Sequence, residues 1–149
     1  MTSLNYYQKA EYRVLLNVHY HMICEQFNKR LYRTIGTLSA LGSTSAAFSL
    51  WGDHTEFAKI VTFIIAAMLA FDWFFDFRGA SSKHNELKVR NIDLQKTLQL
   101  KDDSMSKADF NKFVVKLLEI DKSEEPTNGY FYNQAKKLAD DVVLGNIDG

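Results

Sequence analysis

Two stretches break the alternation of apolar and polar positions along the rest of the chain. From Thr34 to Gly52 no residue is charged, and Gly36, Ser39, Ala40, Gly42, Ser43, Thr44, Ser45, Ala46 and Ala47 make the run rich in small and hydroxylated side chains. From Ala58 to Phe77 the chain is strongly apolar, with Ile60-Val61-Thr62-Phe63-Ile64-Ile65 at its centre and Asp72 and Asp76 near its end. A hydrocarbon layer about 30 Å thick takes roughly 20 helical residues to cross. The pattern therefore predicts transmembrane helices over 34–52 and 58–77, joined by an external loop over 53–57. Trp51, Trp73 and the phenylalanines around Phe74 fall near the ends of these spans, where amphipathic rings are favoured.

The flanking segments have helical periodicity. Before the first stretch, over 1–33, Leu4, Tyr7, Val14, Val18 and His21 follow a heptad-like spacing interrupted by Glu11. After the second, over 78–100, His84, Leu87, Asn91, Leu94 and Leu98 do the same. Each flank reads as a continuation of its span, so the two should run on as an antiparallel pair. The charged run Lys101 to Ser106 ends this part, and Ser106 with Asp109 has the spacing of a capping box. The segment 106–149 holds two short helices. One carries Phe110, Phe113, Val114, Leu117 and Leu118 as its apolar face, and the other Phe131, Ala135, Leu138, Ala139 and Val142. Asp121 to Gly129, with Glu124-Glu125-Pro126, reads as the turn between them. The fold class expected is all-α, an integral membrane helical hairpin with long helical extensions. A soluble helical hairpin is disfavoured, because the Ser, Thr and Gly of the first stretch suit close approach of membrane helices better than a water-excluding core.

Charge fixes the expected orientation. Lys9, Arg13, Lys29, Arg30 and Arg33 precede the first span, and Arg78, Lys83, Lys88 and Arg90 follow the second. The connecting segment carries acid and no Lys or Arg until Lys59, so both termini are expected on the cytoplasmic side. The formal net charge of zero over 149 residues gives no global field to attract DNA or RNA. Pro126 is the sole proline, which suits long helices, and the lone Cys24 has no internal disulfide partner and reads as a packing residue. The N-terminal residues lack a cleavable-signal pattern, so the apolar segments are expected to persist in the mature chain.

The search for chemistry is mostly negative. There is no phosphate loop, nucleophile elbow, paired zinc cysteines or His-Glu-x-x-His motif, so neither an enzyme nor a metal site is expected. His19 and His21, two apart, point in different directions on a helix. His21 and His84 could meet where their helices run side by side, as a mixed metal site, a hydrogen-bonded pair or a proton-sensitive switch. Asp72 and Asp76 would sit within or at the edge of the second span, where an ionisable group costs roughly 2.5–3.5 kcal/mol and needs a partner or water. Asp72 could pair with Arg33 or Arg30, or face a cation-permeable vestibule formed by several subunits. Thr37, Thr44 and Thr62 are further intramembrane polar candidates; the hydroxyls of the first span could serve water or ordinary packing. Lys83, His84, Lys88, Arg90 and Arg13 are candidate phosphate donors for a nucleotide, or anchors for lipid headgroups.

The layout resembles the SLATT family, two-transmembrane effectors associated with nucleotide-sensing modules in bacterial defence. The resemblance rests on Tyr12-Arg13, His19 or His21, the small-residue span Gly36 to Ala47, Ala80 with His84, and Glu125-Pro126 followed by Ala135. It implies a pore-forming or membrane-disrupting effector in the bacterial inner membrane, used in abortive infection against phage. Its control would come from a nucleotide second messenger, a cyclic or linear oligonucleotide made by a neighbouring nucleotidyltransferase. No SAVED or SLOG module is fused in this sequence, so the cytoplasmic helices or a partner chain are expected to read the signal. A hairpin alone encloses no lumen, so a homo-oligomer is expected, with a tetramer favoured. The alternative is a non-conducting receptor or anchor that recruits a soluble partner through 106–149.

Overall fold

A computed structural model of the chain describes residues 6–51, 55–101, 105–123 and 128–145. Leu4, Gly52 to His54 and Glu124-Glu125-Pro126 lie outside the described residues, as does the Trp51 side chain. The described residues are all-helical, with no strand among them. Five helices follow in order: α1 (Tyr6–Trp51), α2 (Thr55–Phe75), α3 (Phe77–Lys101), α4 (Lys107–Ser123) and α5 (Gly129–Gly145). Thr55 to Phe57 belong to α2, and α4 runs on through Asp121 to Ser123, so the turn before α5 is shorter than the sequence suggested. The chain divides into two compact units. Unit 1 is Met1–Glu25 with Lys83–Gly149, and unit 2 is Gln26–Ser82. α1 and α3 each contribute to both.

Unit 1 is a bundle built on the N-terminal half of α1. One cluster joins Ala10 and Val14 to Leu87, Leu94 and Leu98 of α3 and Phe113, Leu117 and Ile120 of α4. The heptad-like spacings in α1 and α3 are the reason these positions meet: Val14 and His21, and Leu87, Asn91, Leu94 and Leu98, are all buried. A second cluster uses the other side of α1, packing Leu15, Leu16, Tyr20 and Cys24 against Ala135 and Ala139 of α5. Ala135 and Ala139 belong to the apolar stripe expected for this helix, and their small size lets α5 lie close to α1. Ile120 replaces Leu118 on the buried face of α4, and Phe131 and Val143 line the α5 contact while Leu138 and Val142 stay exposed. The α5 stripe therefore follows i, i+4 steps through 131, 135, 139 and 143.

Polar bonds fix the helix ends. Asp109 N–H donates to Ser106 Oγ (3.1 Å), the cap expected for α4. Asn128 caps α5 by accepting from Tyr130 N–H (3.0 Å). Its own N–H donates to the Tyr20 hydroxyl oxygen (3.1 Å).

Unit 2 holds the second half of α1, all of α2 and the start of α3. A Cβ added at Gly42 would lie 2.8 Å from Ile65 Cδ1 and 3.5 Å from Val61 Cγ1, so glycine permits the two helix surfaces to touch. Position 42 lies nine residues before the end of α1, and 61–65 lie near the start of α2, a match that only antiparallel packing produces. Between α2 and α3 the helix is interrupted at Asp76, which has φ 43°. Aspartate tolerates this left-handed conformation better than most residues. Its carboxylate then accepts from Gly79 N–H (3.0 Å) and caps α3. A Cβ at Gly79 would fall 2.0 Å from that carboxylate, so the glycine makes room for the cap.

Candidate functional site

Two places in the molecule bear on function, one in each unit. The first is the seam between α1 and α3 in unit 1. His21 is 1% exposed, and its Nδ1 lies 3.0 Å from Nδ1 of His84. One ring must donate and the other accept, so the contact holds a single proton. Tyr20 sets its ring edge against both histidines, at centroid distances of 5.3 and 6.1 Å. One turn further along each helix, Lys88 pairs with Glu25. Of the alternatives the sequence left open for this pair, the geometry is that of a hydrogen-bonded seam. No cluster of three or more metal-ligating side chains occurs among the described residues.

The five basic or histidine candidates for nucleotide binding do not converge. Arg13 pairs with Asp121 of α4, which also accepts from Asn17 (3.1 Å). Lys88 is held by Glu25 and Arg90 by Glu86. His84 is in the seam, and exposed Lys83 also has a partner. Arg90 lines a groove of about 360 Å³ between α3 and α4, floored by Leu94 and Ile120 and rimmed by Asp93, Lys116 and Glu119. Its mixed charges match a purely anionic ligand poorly.

Tyr12 ties α5 to α1. Its hydroxyl donates to Asp140 Oδ1 (2.8 Å) across 128 positions of sequence. Burial, with the Asp140 carboxylate adding to it, pushes the Tyr12 phenol up to about 12. The raised value means the folded state favours the neutral phenol. Its contribution is complete below the ordinary value of 10.0 and is lost as pH rises through about 12. Tyr12→Phe is expected to cost about 1.5–3 kcal/mol, the worth of a hydrogen bond to a charged acceptor. It should also flatten the alkaline limb of a urea-unfolding series followed by circular dichroism. An unchanged limb would show that Tyr12 does not govern it.

The second place is the apolar hairpin of unit 2. The run Thr55–Leu100 contains an 18-residue window of mean hydropathy 1.9, of which 6% is buried. It is the one helical run among the described residues long and apolar enough to cross a membrane. Phe57, Ile60, Phe63, Ile64, Leu69, Phe71, Trp73, Phe74 and Phe75 are each about half exposed or more. Leaving nine such side chains in water forgoes on the order of 10 kcal/mol of burial, as much as the whole net stability of a domain. A surface of this kind calls for an apolar covering.

The polar candidates of unit 2 lie in unlike settings. Ser43, Thr44 and Ser45 each donate a hydroxyl to the carbonyl four residues back, Ser39, Ala40 and Leu41 (2.7, 3.0 and 3.1 Å). Three of the hydroxyls that made the first stretch look polar are thus satisfied within the helix. Thr37 and Thr62 are exposed. Asp76 is committed to the cap on α3. Asp72 is different: its Oδ1 is buried and lacks a hydrogen-bond partner. Counting from the Gly42 contact, Arg33 lies level with Asp72, yet no ion pair joins Asp72 to Arg33 or Arg30 among the described residues. Ser39 Oγ, on the face of α1 that α2 covers, is likewise buried without a partner.

No family model, curated protein or solved structure matches the chain.

Proposed function

We propose that the chain is a bilayer-spanning helical hairpin carrying a cytoplasmic helical bundle, and that it acts as a pore-forming or membrane-disrupting effector assembled as a homo-oligomer. The observation that carries the membrane reading is α2, a 21-residue helix whose large apolar side chains are exposed except on the face that packs against α1. The back-bonded hydroxyls of Ser43, Thr44 and Ser45 support a second span in α1, since they lower the cost of placing this uncharged run in lipid. Asp72 supports a pore: a carboxylate within the apolar helix that has no hydrogen-bond or ion-pair partner among the described residues suits a place near water, a cation or another subunit.

In this reading both termini are cytoplasmic and the membrane is the bacterial inner membrane. The seam and bundle are the part that a signal acts on, and the resemblance to SLATT effectors supplies a nucleotide messenger and an anti-phage role. Leakage of dye and potassium from liposomes, wild type beside Asp72→Asn, tests it. Leakage whose rate or potassium-over-dye selectivity shifts with the substitution would locate Asp72 on the path. Tight liposomes would leave the other reading, an anchor that recruits a soluble partner. That alternative is favoured by exposed Tyr130, Leu138 and Val142 on α5 and Val115 and Leu118 on α4, an apolar surface outside the hairpin.

A further inference from the structure

Unpaired cations occur in both units: in unit 1, Arg13, Lys88, Arg90 and Lys96 each pair with a carboxylate, while Lys112, Lys116 and Lys136 form no ion pair among the described residues. In unit 2, Lys59 pairs with Glu56, close to the start of α2. At the opposite end of unit 2, Lys29, Arg30, Arg33 and Arg78 have no partner among the described residues. The helix register brings them to one level. Position 42 lies opposite 61–65, so Arg33, nine residues earlier, is level with Asp72, and Lys29 with Asp76, just before Arg78. Spacings of three and four put Arg30 and Arg33, and Lys29 and Arg33, on one side of α1.

Two carboxylates share this level: exposed Asp76, which accepts from Gly79 N–H at the α3 N-terminus, and Asp72, with one oxygen buried; neither forms an ion pair with these cations among the described residues. At the same level of α2 stand two exposed aromatic rings, Trp73 at 85% and Phe74 at 75%. Unpaired guanidinium groups level with bare rings match a ligand that is anionic at one end and apolar just beneath it.

We infer that this rim binds the headgroup phosphate of an anionic phospholipid through Lys29, Arg30, Arg33 and Arg78, with the acyl chains against Trp73 and Phe74. The inference rests on the bilayer-spanning reading and adds a chemically selective lipid to it. Continuity with the exposed apolar surface of α2 distinguishes a lipid from a soluble phosphate, which would have no use for the rings.

The test uses the full chain in phosphatidylcholine nanodiscs or neutral detergent, titrated with phosphatidylglycerol, with bound lipid counted by native mass spectrometry. Preference for phosphatidylglycerol over phosphatidylcholine is expected in the wild type. Each cation removed should weaken it about fivefold, so Arg30→Gln/Arg33→Gln should lose about 25-fold. Lys59→Gln, at the other end of the hairpin, should lose none. Circular dichroism of each variant checks that the helices persist, and Arg30→Lys/Arg33→Lys should restore most of the preference if charge is what binds. Equal binding of the two lipids by wild type, or an undiminished preference in the double Gln variant, would overturn the inference. So would displacement of the lipid by inorganic phosphate at equal concentration, which would make the site one for soluble anions. Failure of the chain to insert into phosphatidylcholine nanodiscs would instead defeat the bilayer-spanning reading itself.

Discussion

Replacing His84 with leucine is expected to destabilise unit 1 by about 1–3 kcal/mol, whereas replacing His21 and His84 together with leucine should cost much less. The asymmetry follows from burial. His21 is 1% exposed and its Nδ1 is satisfied by His84, so removing one partner leaves a buried polar nitrogen with neither water nor protein to bond. Removing both leaves two apolar side chains of similar bulk on a seam already lined by Val14 and Leu87. Acid should also destabilise the fold, through His19: burial lowers its pKa below the ordinary 6.5, and its Nδ1 is buried without a partner among the described residues. The folded state therefore favours neutral His19. That contribution is complete above pH 6.5 and is lost as pH falls below it. Urea unfolding of the full chain in detergent at pH 7.5 and 5.5 reads both effects. Equal stability of single and double variants would show that the seam is energetically silent, and no loss on acidification of wild type would show that His19 does not govern the acid limb.

Gly42→Leu is expected to cost about 1–3 kcal/mol of hairpin association, the range for overpacking a closed contact. The first added carbon would meet the tip of Ile65 at 2.8 Å and its Cγ1 at 3.1 Å. Because that tip is flexible, Gly42→Ala should be mild; the further carbons of leucine must push α2 away. Gly36 is the internal control, since nothing lies within 4 Å of a Cβ there and Gly36→Leu should be tolerated. Ile65→Ala in the Gly42→Leu background should recover much of the loss. Thermal unfolding in detergent, or cross-linking of cysteines introduced at facing positions of α1 and α2, measures it. Equal effects at 36 and 42 would dissolve the close-approach argument.

The parts of this fold that sequence made legible are those in which one large side chain per turn does the packing. Leu87, Asn91, Leu94 and Leu98 recur every three or four residues and are buried as that rhythm requires. The expected α5 stripe holds at Phe131, Ala135 and Ala139, which pack, and fails at Leu138 and Val142, which stay exposed. Small residues pack closely without leaving a strong hydrophobic signal. The break at Asp76 was hidden for another reason: it depends on a left-handed backbone angle and on room above Gly79, neither of which periodicity registers. Of the polar candidates, the His21–His84 meeting followed from the heptad spacing. The self-bonding of Ser43, Thr44 and Ser45 did not, because hydropathy scores a hydroxyl alike whether it faces water or its own helix. Of the basic candidates, Arg13 and Lys88 pair across helices with Asp121 and Glu25, and Arg90 with Glu86 of its own helix, partners that a spacing rule for one helix does not bring out together.

The sequence distances within the two units differ widely. The bonds that hold the first half of α1 span 63 positions at His21–His84, 91 at Tyr7–Leu98, 108 at Arg13–Asp121 and 128 at Tyr12–Asp140. The Gly42 contact reaches Val61 and Ile65, about twenty positions away. Loops that short close early, and long ones wait for the remainder of the chain. During synthesis the apolar hairpin can therefore form while the α1 segment before it still lacks every partner it will have. The bundle closes last, and the time between these two events is when Val14, Leu15 and Leu16 are open to mispairing or to a chaperone.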